Sequence, residues 1–263
     1  MKESCWHSDI PICDPNSHSQ IIVSLTTYSS RINSAYVAIE SIAYQSVKAE
    51  SVILWLDQDE FDASTLPETI KRQMIRGLQV RFVPNFGSYK KLFPAVEAFP
   101  EKHIVTIDDD IIYPEAMLAD LLKQHQAYPK SIIACRAHAI TRNSEGIPTC
   151  YHHWRKEVSE HCGENTFVTT GGGTFFPADE SRLWFVNKEL AMTLCPNADD
   201  VWVNYIAKLH SIEVRKLESA YSYRERFTFL THKNNLELKT VNVLGGLNDK
   251  YLHNMFQYFG FHL

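Results

Sequence analysis

The chain has no apolar run of the roughly 20 residues a bilayer-crossing helix needs. It also has no surplus of positive charge: 26 Lys and Arg stand against 31 Asp and Glu, a formal charge of −5. That leaves no global basic field and no support for nucleic-acid binding, so any site for an anion has to be built locally. Residues 1–20 lack the basic start and apolar middle of a signal peptide and carry Asp9, Pro11, Asp14 and Pro15 instead. The expectation is a cytoplasmic protein, with peripheral association at the inner face of the membrane as the alternative. The six cysteines (Cys5, Cys13, Cys135, Cys150, Cys162, Cys195) show no close, regular pairing, so reduced thiols are expected rather than a disulfide framework. Internal repeats and low-complexity linkers are missing too. The 263 residues, 44% hydrophobic and 22% charged, suffice for one sizeable α/β domain and are short for two.

What is present begins with a β-branched run at residues 21–25, read as a strand ending in Thr26-Thr27. Asn33 or Ser34 is expected to cap a helix carrying Ala35, Ala38, Ile39, Ile42 and Ala43 on one face. Further strands are predicted at 52–56, 80–83, 104–107 and 132–135. Helices are expected after Pro67 and after Pro114-Glu115. This alternation argues for a mostly parallel sheet flanked by helices. From 136 to 180 no period is convincing. A helix resumes near Ala198, short strands are expected near Val214 and at 227–230, and a last helix at 249–259. The division is a single domain over 1–263, with a tail at 1–19, a nucleotide-binding half at 20–135 and a more irregular acceptor-side half at 136–263.

The fourth strand runs straight into Asp108-Asp109-Asp110. In an extended chain Asp108 and Asp110 point to one side and Asp109 to the other. Two carboxylates on one side make a hard oxygen site for Mg²⁺ or Mn²⁺. Such an ion can neutralise the charge growing on a departing diphosphate. The alternative is a solvated acidic turn before the following helix.

At these residues the sequence resembles a known family. Ile104-Val105-Thr106-Ile107-Asp108-Asp109-Asp110 is similar to the DxD motif of GT-A-fold glycosyltransferases, in the DDD form of exostosin-like enzymes. The likeness takes in residues 21–25, Tyr89-Lys90-Lys91-Leu92 and Ala198-Asp199-Asp200-Val201, in order over most of residues 20–232, and extends to bacterial polysaccharide glycosyltransferases. It implies an α/β GT-A (Rossmann-like) fold, a nucleotide-sugar donor with UDP favoured by family frequency, and a glycan or lipid-linked acceptor. It also implies Mn²⁺ or Mg²⁺ as cofactor. By that resemblance Asp110 holds the metal directly, Asp108 contacts metal and donor, and Asp109 belongs to the donor site.

Other residues can be weighed around this motif. Thr26, Thr27 and Tyr28 offer hydroxyls and an aromatic face to a nucleoside, or form an ordinary turn. Asp57 closes the second strand, where the family often reads the base; a helix cap or a solvated charge is the alternative. Of Lys90 and Lys91, one is expected to face solvent. Lys91 is taken as the point charge near the donor phosphates, because a Lys-Leu pair stands at this place in the bacterial relatives. Gly171-Gly172-Gly173 is expected as a loop that lets backbone approach donor and acceptor; with no Gly-Lys-Ser/Thr it is not a P-loop. Asp199 and Asp200 form the candidate catalytic pair. Capping accounts for one aspartate more naturally than two, so Asp199 is assigned to the cap and Asp200 to chemistry.

His232 is a third metal ligand by resemblance, although a lone histidine is more often structural. Cys150, His152 and His153 with His161 and Cys162 superficially resemble a zinc site, but the spacing fits no standard pair, and an incidental loop is the reading. Arg136, His138 and Arg142 either bind an anionic group or line a solvated edge. The aromatic tail from Tyr251 to Phe261 is assigned to core packing. Two other functions compete: nucleotidyl transfer, which usually carries a glycine-rich loop after the first strand where this chain has Ser24-Leu25-Thr26-Thr27-Tyr28, and a non-catalytic carbohydrate-binding protein on the same fold.

Overall fold

The computed structural model describes residues 8–230 and 246–263. Its strands are β1 (Ile21–Thr26), β2 (Ser51–Asp57), β3 (Leu78–Val83), β4 (His103–Ile107), β5 (Ile111–Ile112), β6 (Ile132–Ala134), β7 (Ala137–Ala139), β8 (Thr166–Val168), β9 (Gly172–Phe176), β10 (Val214–Lys216) and β11 (Thr228–Phe229). The helices are α1 (Ile32–Ala43), α2 (Glu68–Ile75), α3 (Phe93–Ala98), α4 (Met117–Ala127), α5 (Lys188–Leu194), α6 (Asp199–Leu209), α7 (Tyr223–Arg226) and α8 (Leu247–Phe259). Seven strands form one sheet in the order β10-β6-β9-β4-β1-β2-β3. It is parallel except for β9, which runs antiparallel to both β4 and β6.

Alternate residues of each strand feed two cores, one on each face of the sheet. Ile22, Ile53, Ile104 and Phe176 pack with Phe93, Val96, Trp202 and Met255 of α3, α6 and α8. Val23, Leu54, Val105 and Phe175 pack with Ile39, Ile70, Met117 and Leu121 of α1, α2 and α4. Fully burying one such side chain stabilises by about 1.5–3 kcal/mol, so the layers hold the sheet's edges in register.

The sheet order places the site. From β1 the chain builds outward through β2 to β3, then returns to the other side of β1 as β4. That reversal is the topological switch point at which open α/β sheets bind ligands, outside the carboxyl ends of their strands. Thr26, Asp57 and Ile107 end their strands on that edge. Because β9 is antiparallel, it brings its amino end, Gly172, to the same place.

Three expectations need correction, and two helices were missed. Neither Asn33 nor Ser34 caps α1: the helix starts at Ile32, straight out of a 3-10 turn at Ser29–Arg31. Their side chains turn back to the carbonyls of Ser30 and Arg31. The glycine run is a loop only at Gly171, which sits in the turn before β9. Gly172 and Gly173 belong to β9, in the middle of the sheet, and Gly171–Gly173 are buried. A strand buried on both faces shows no period-2 alternation, and glycines depress every strand signal. The helices α3 and α5, six and seven residues long, are too short for a 3.6-residue period to register. The aromatic tail is mixed: Tyr251 is buried, whereas Tyr258 is 59% exposed.

Candidate active site at the carboxyl edge of the sheet

A register shift between Thr106 and Ile107, where β4 pairs with β9, re-aims the chain just before the aspartates. The Asp108 N–H then donates to the Gly171 carbonyl at 2.9 Å and to the Tyr113 hydroxyl at 2.8 Å, while that hydroxyl donates to Gly171 O at 2.7 Å. A Cβ on Gly171 would overlap the Asp108 carboxylate, which could not then keep this position. At Gly172 a Cβ would lie 2.7 Å from Arg136 Cβ, and Gly173 adopts φ +89, which favours glycine. The glycines thus bring the backbone of β9 against the aspartates.

The three aspartates do not divide as an extended chain would have them: Asp109 and Asp110 lie in a turn and share Arg31, while Asp108 goes to Lys91. Asp109 turns inward, accepts the Thr27 hydroxyl and is clasped by Arg31 through Nε at 3.1 Å and through Nη2. Asp110 takes a single contact from Arg31 Nη2, at 2.8 Å. Burial first, then the charges of Asp108 and Asp109, push the Asp110 carboxyl up to about 6, with Arg31 only partly opposing them. Asp108 pairs with Lys91 Nζ at 2.8 Å. Burial raises its pKa, but Lys91 outweighs that and holds the carboxyl below its ordinary range.

Lys91 also reaches Asp199 Oδ2 at 3.3 Å, so it joins the first acidic group to the second. Burial disfavours its charge, yet Asp108 and Asp199 overcome this and raise its pKa. The lysine is held there because its own carbonyl accepts from Ser24 Oγ at 2.5 Å, and Ser24 in turn accepts from Trp55 Nε1 at 2.8 Å. The expectation that one of the two lysines faces solvent fails: Lys90 is also buried, with Nζ 3.2 Å from Asn85 Oδ1.

Asp199 does not cap its helix. Ala198 occupies the cap position, and no side chain caps there. Instead Asp199 is buried and accepts from Ser88 Oγ at 2.7 Å. The Thr170 hydroxyl lies 2.5 Å from Asp199 Oδ2 and 2.8 Å from Asp200 Oδ1, one proton between two carboxylates. The Thr170 N–H also donates to Asp200 Oδ1, at 2.7 Å. Burial, then the Asp199 charge, push Asp200 up to about 6 despite Lys91.

The remaining candidates are less committed to a ligand. The Thr26 hydroxyl donates to Trp55 O at 2.8 Å, and Tyr28 lies under the Arg31 guanidinium, 5.2 Å from its ring centroid. Asp57 is buried and closes a turn by accepting the Asp59 N–H at 2.9 Å. His138 is neither an anion binder nor a solvated edge: it is buried, accepts the Glu157 N–H at 3.0 Å, and burial with Arg136 nearby pushes it down to about 3. Arg142 holds Leu263 O at 2.8 Å and Asn165 Oδ1 at 2.7 Å. Leu230 N–H donates to Asp110 O at 2.7 Å, but His232 itself lies outside the described residues.

Sequence reasoning missed Arg31 and Thr170 and left Arg136 open. The signal was electrostatic. Three adjacent carboxylates need counter-charges, and Arg31, Lys91 and Arg136 are basic residues in the segments that follow β1, β3 and β6. Among the described residues, Asp108, Asp109, Asp110, Asp199 and Asp200 lie around Arg31 and Lys91, while Arg136 acts on them only through space and is itself paired with Glu157 at 2.9 Å, so carboxylates outnumber the cations beside them. That excess, on oxygen donors, fits a hard divalent cation. Among the described residues no three metal-ligating groups converge there, so further ligands would have to come from elsewhere.

No protein-family model matches the chain, and no curated protein matches it by sequence. Solved structures do. A mannosyltransferase from Pyrobaculum calidifontis, in complex with GDP-Man and Mn²⁺, superposes with a TM-score of 0.54 at 12% identity, covering 95% of this chain and 67% of its own. Staphylococcus aureus TarS 1-349 gives a TM-score of 0.53 at 14% identity, covering 90% of this chain and 72% of its own. Its complex with UDP-GlcNAc gives 0.54 at 11%, covering 92% and 73%. At such identities the likeness is one of fold: a mixed α/β architecture around a mostly parallel sheet.

Proposed function

We propose that the chain is a metal-dependent glycosyltransferase that moves a sugar from a nucleotide-diphosphate donor, UDP-linked in the first instance, to a glycan or lipid-linked acceptor in surface polysaccharide synthesis. One observation carries the reading. Two acidic groups far apart in sequence, Asp108–Asp110 and Asp199–Asp200, meet across Lys91 at the switch point of the sheet. The neighbours that hold GDP-Man with Mn²⁺ and UDP-GlcNAc support it through their shared fold.

Asp110 and Asp108 are the residues that would hold Mn²⁺ or Mg²⁺, with His232 as the proposed third protein ligand. A cation held there would supply positive charge to offset that on the departing diphosphate. Thr27, Tyr28 and Asp57 border the nucleoside. Gly171 and Gly172 let the backbone of β9 approach the donor sugar without side chains in the way. Lys91 holds Asp108 and Asp199 at a set separation. Asp200 is the group that takes the acceptor hydroxyl's proton: Thr170 fixes one of its oxygens, and a carboxyl with a pKa of about 6 is ionised yet basic near neutral pH.

The test is a melting series with UDP, GDP or neither, each with Mn²⁺ or with chelator, followed by donor hydrolysis. UDP is expected to stabilise only when the cation is present, by about 2.7 kcal/mol at about one hundred times its dissociation constant. Equal shifts with chelator would remove the metal from the reading. In the same series Asp200→Asn is expected to keep nucleotide-dependent stabilisation and lose transfer. Unchanged turnover in that variant would reduce Asp200 to a structural group.

A further inference from the structure

Away from the acidic edge, the segment at Cys150 and the last helix bring a second set of metal-ligating side chains together. Cys150 Sγ, a His152 ring nitrogen and an Asp249 carboxylate oxygen all lie within 4.8 Å of one another, the one such His, Cys, Asp or Glu group found among the described residues. Local structure explains the meeting. Tyr151, 5% exposed, is driven into the core against Trp154 and Phe167, so its neighbours Cys150 and His152 are left on the surface. The Tyr151 N–H then donates to Asp249 Oδ1 at 2.7 Å, which orients that carboxylate and leaves its second oxygen for another partner. One turn further along the same face of α8, His253 lines a cavity of about 230 Å³ together with Cys150 and Asp249. His161 and Cys162 take no part; His161 Nδ1 lies 3.0 Å from Thr166 Oγ1.

We propose that Cys150, His152 and Asp249 bind one Zn²⁺-class ion, with His253 or a water in the fourth position. A thiolate and an imidazole beside one carboxylate form a mixed donor set whose soft and borderline members favour zinc over Mg²⁺ or Mn²⁺. The charges close: on binding, the Cys150 thiol releases one proton to solvent, and thiolate plus carboxylate balance the dication. The hydrogen bond from Tyr151 supplies the outer-shell orientation such ligands need. The ion would tie α8 to a segment far earlier in the chain, independently of the sugar-transfer reading.

The experiment uses the full chain, stripped with chelator, incubated with Zn²⁺ alone, passed through gel filtration and assayed for metal. One equivalent is expected to stay with the protein and to raise its melting temperature. Asp110→Asn is expected to retain it, which separates this site from the acidic edge. Cys150→Ser and Asp249→Asn are each expected to weaken zinc binding by about tenfold or more, the scale of losing even an outer-shell partner. Cys150 is exposed, so Cys150→Ser should melt like the stripped wild-type protein, and a normal melt certifies that the loss is one of metal. Cobalt gives a second readout, a thiolate-to-cobalt charge-transfer band present in the wild-type protein and absent in Cys150→Ser. No zinc retained by the wild-type protein overturns the proposal, and wild-type levels of zinc in both Cys150→Ser and His152→Ala overturn it by assigning the binding to other surface groups.

Discussion

Asp109 and Asp110 are neighbours in the chain and share one guanidinium, yet they stand in different electrostatic situations, because Arg31 gives two nitrogens to the first and one to the second. The Asp110 carboxyl rises from 3.8 to about 6. A group that binds its proton more tightly when folded imposes no penalty below about pH 4; the penalty grows as pH rises from about 4 to about 6 and is complete above. Asp110→Asn removes it, less the loss of the Arg31 contact. The variant without ligand is therefore expected to match or exceed the wild-type melting point at pH 7.5, by at most about 1–2 kcal/mol. That advantage should fade as pH falls through 6 toward 4. Its metal-dependent UDP binding should weaken and its turnover should fall by orders of magnitude, because a neutral amide is a poorer ligand for a hard cation. Glu115→Gln is the control. Near-normal, Mn²⁺-dependent transfer by Asp110→Asn would falsify its place at the metal.

Strand β9 shows how a segment can carry a site without carrying a signal. Its glycines look like a loop, yet they are packed between β4 and β6, where each missing Cβ makes room for a neighbour. Gly171→Ala is expected to swing the Asp108 carboxylate away from Lys91, since the new methyl takes its place. Overpacking of this kind costs about 1–3 kcal/mol. Metal-dependent nucleotide binding should be lost beyond what that stability change explains. A folded Gly171→Ala protein that titrates with UDP and Mn²⁺ like the wild type would show that Asp108 has no part in the site. The helix α6 makes the complementary point: its amphipathic face is legible at 3.6-residue spacing, but what its first two aspartates do depends on Thr170 and Lys91, which come from other segments.

The chain also separates what holds it together from what the acidic edge does. Arg182, 3% exposed, donates to the carbonyls of Phe99, Pro100, Lys102 and Pro177, gathering the end of α3, the entry to β4 and the exit from β9. Arg182→Met leaves those carbonyls short of partners, at about 1–3 kcal/mol for each that stays unsatisfied. A urea melt is expected to show a loss of about 3 kcal/mol or more. Nucleotide affinity per folded molecule should hold, because Arg182 lies at the opposite ends of the strands from Asp108. A parallel fall in nucleotide affinity would mean that the two ends of the sheet are coupled.

The alternation of apolar runs with amphipathic stretches was enough to read β1 to β4, α1, α2, α4 and α6, and to put Asp108–Asp110 at a strand end, because periodicity and burial are local consequences of side-chain type. Asp57, Lys91 and the second acidic pair became candidates through the family resemblance together with their places at strand and helix ends. The sheet order was not, since β9 has to be antiparallel and central for Gly171 to reach Asp108, and no local pattern encodes which strands become neighbours. Nor were the polar partners: Arg31 with Asp109, Lys91 with both acidic groups, and Asp249 with the Tyr151 N–H are contacts between distant segments. Their strength depends on burial, which sequence alone does not supply, and burial is what lifts Asp110 and Asp200 toward neutral pH while Asp108 stays low.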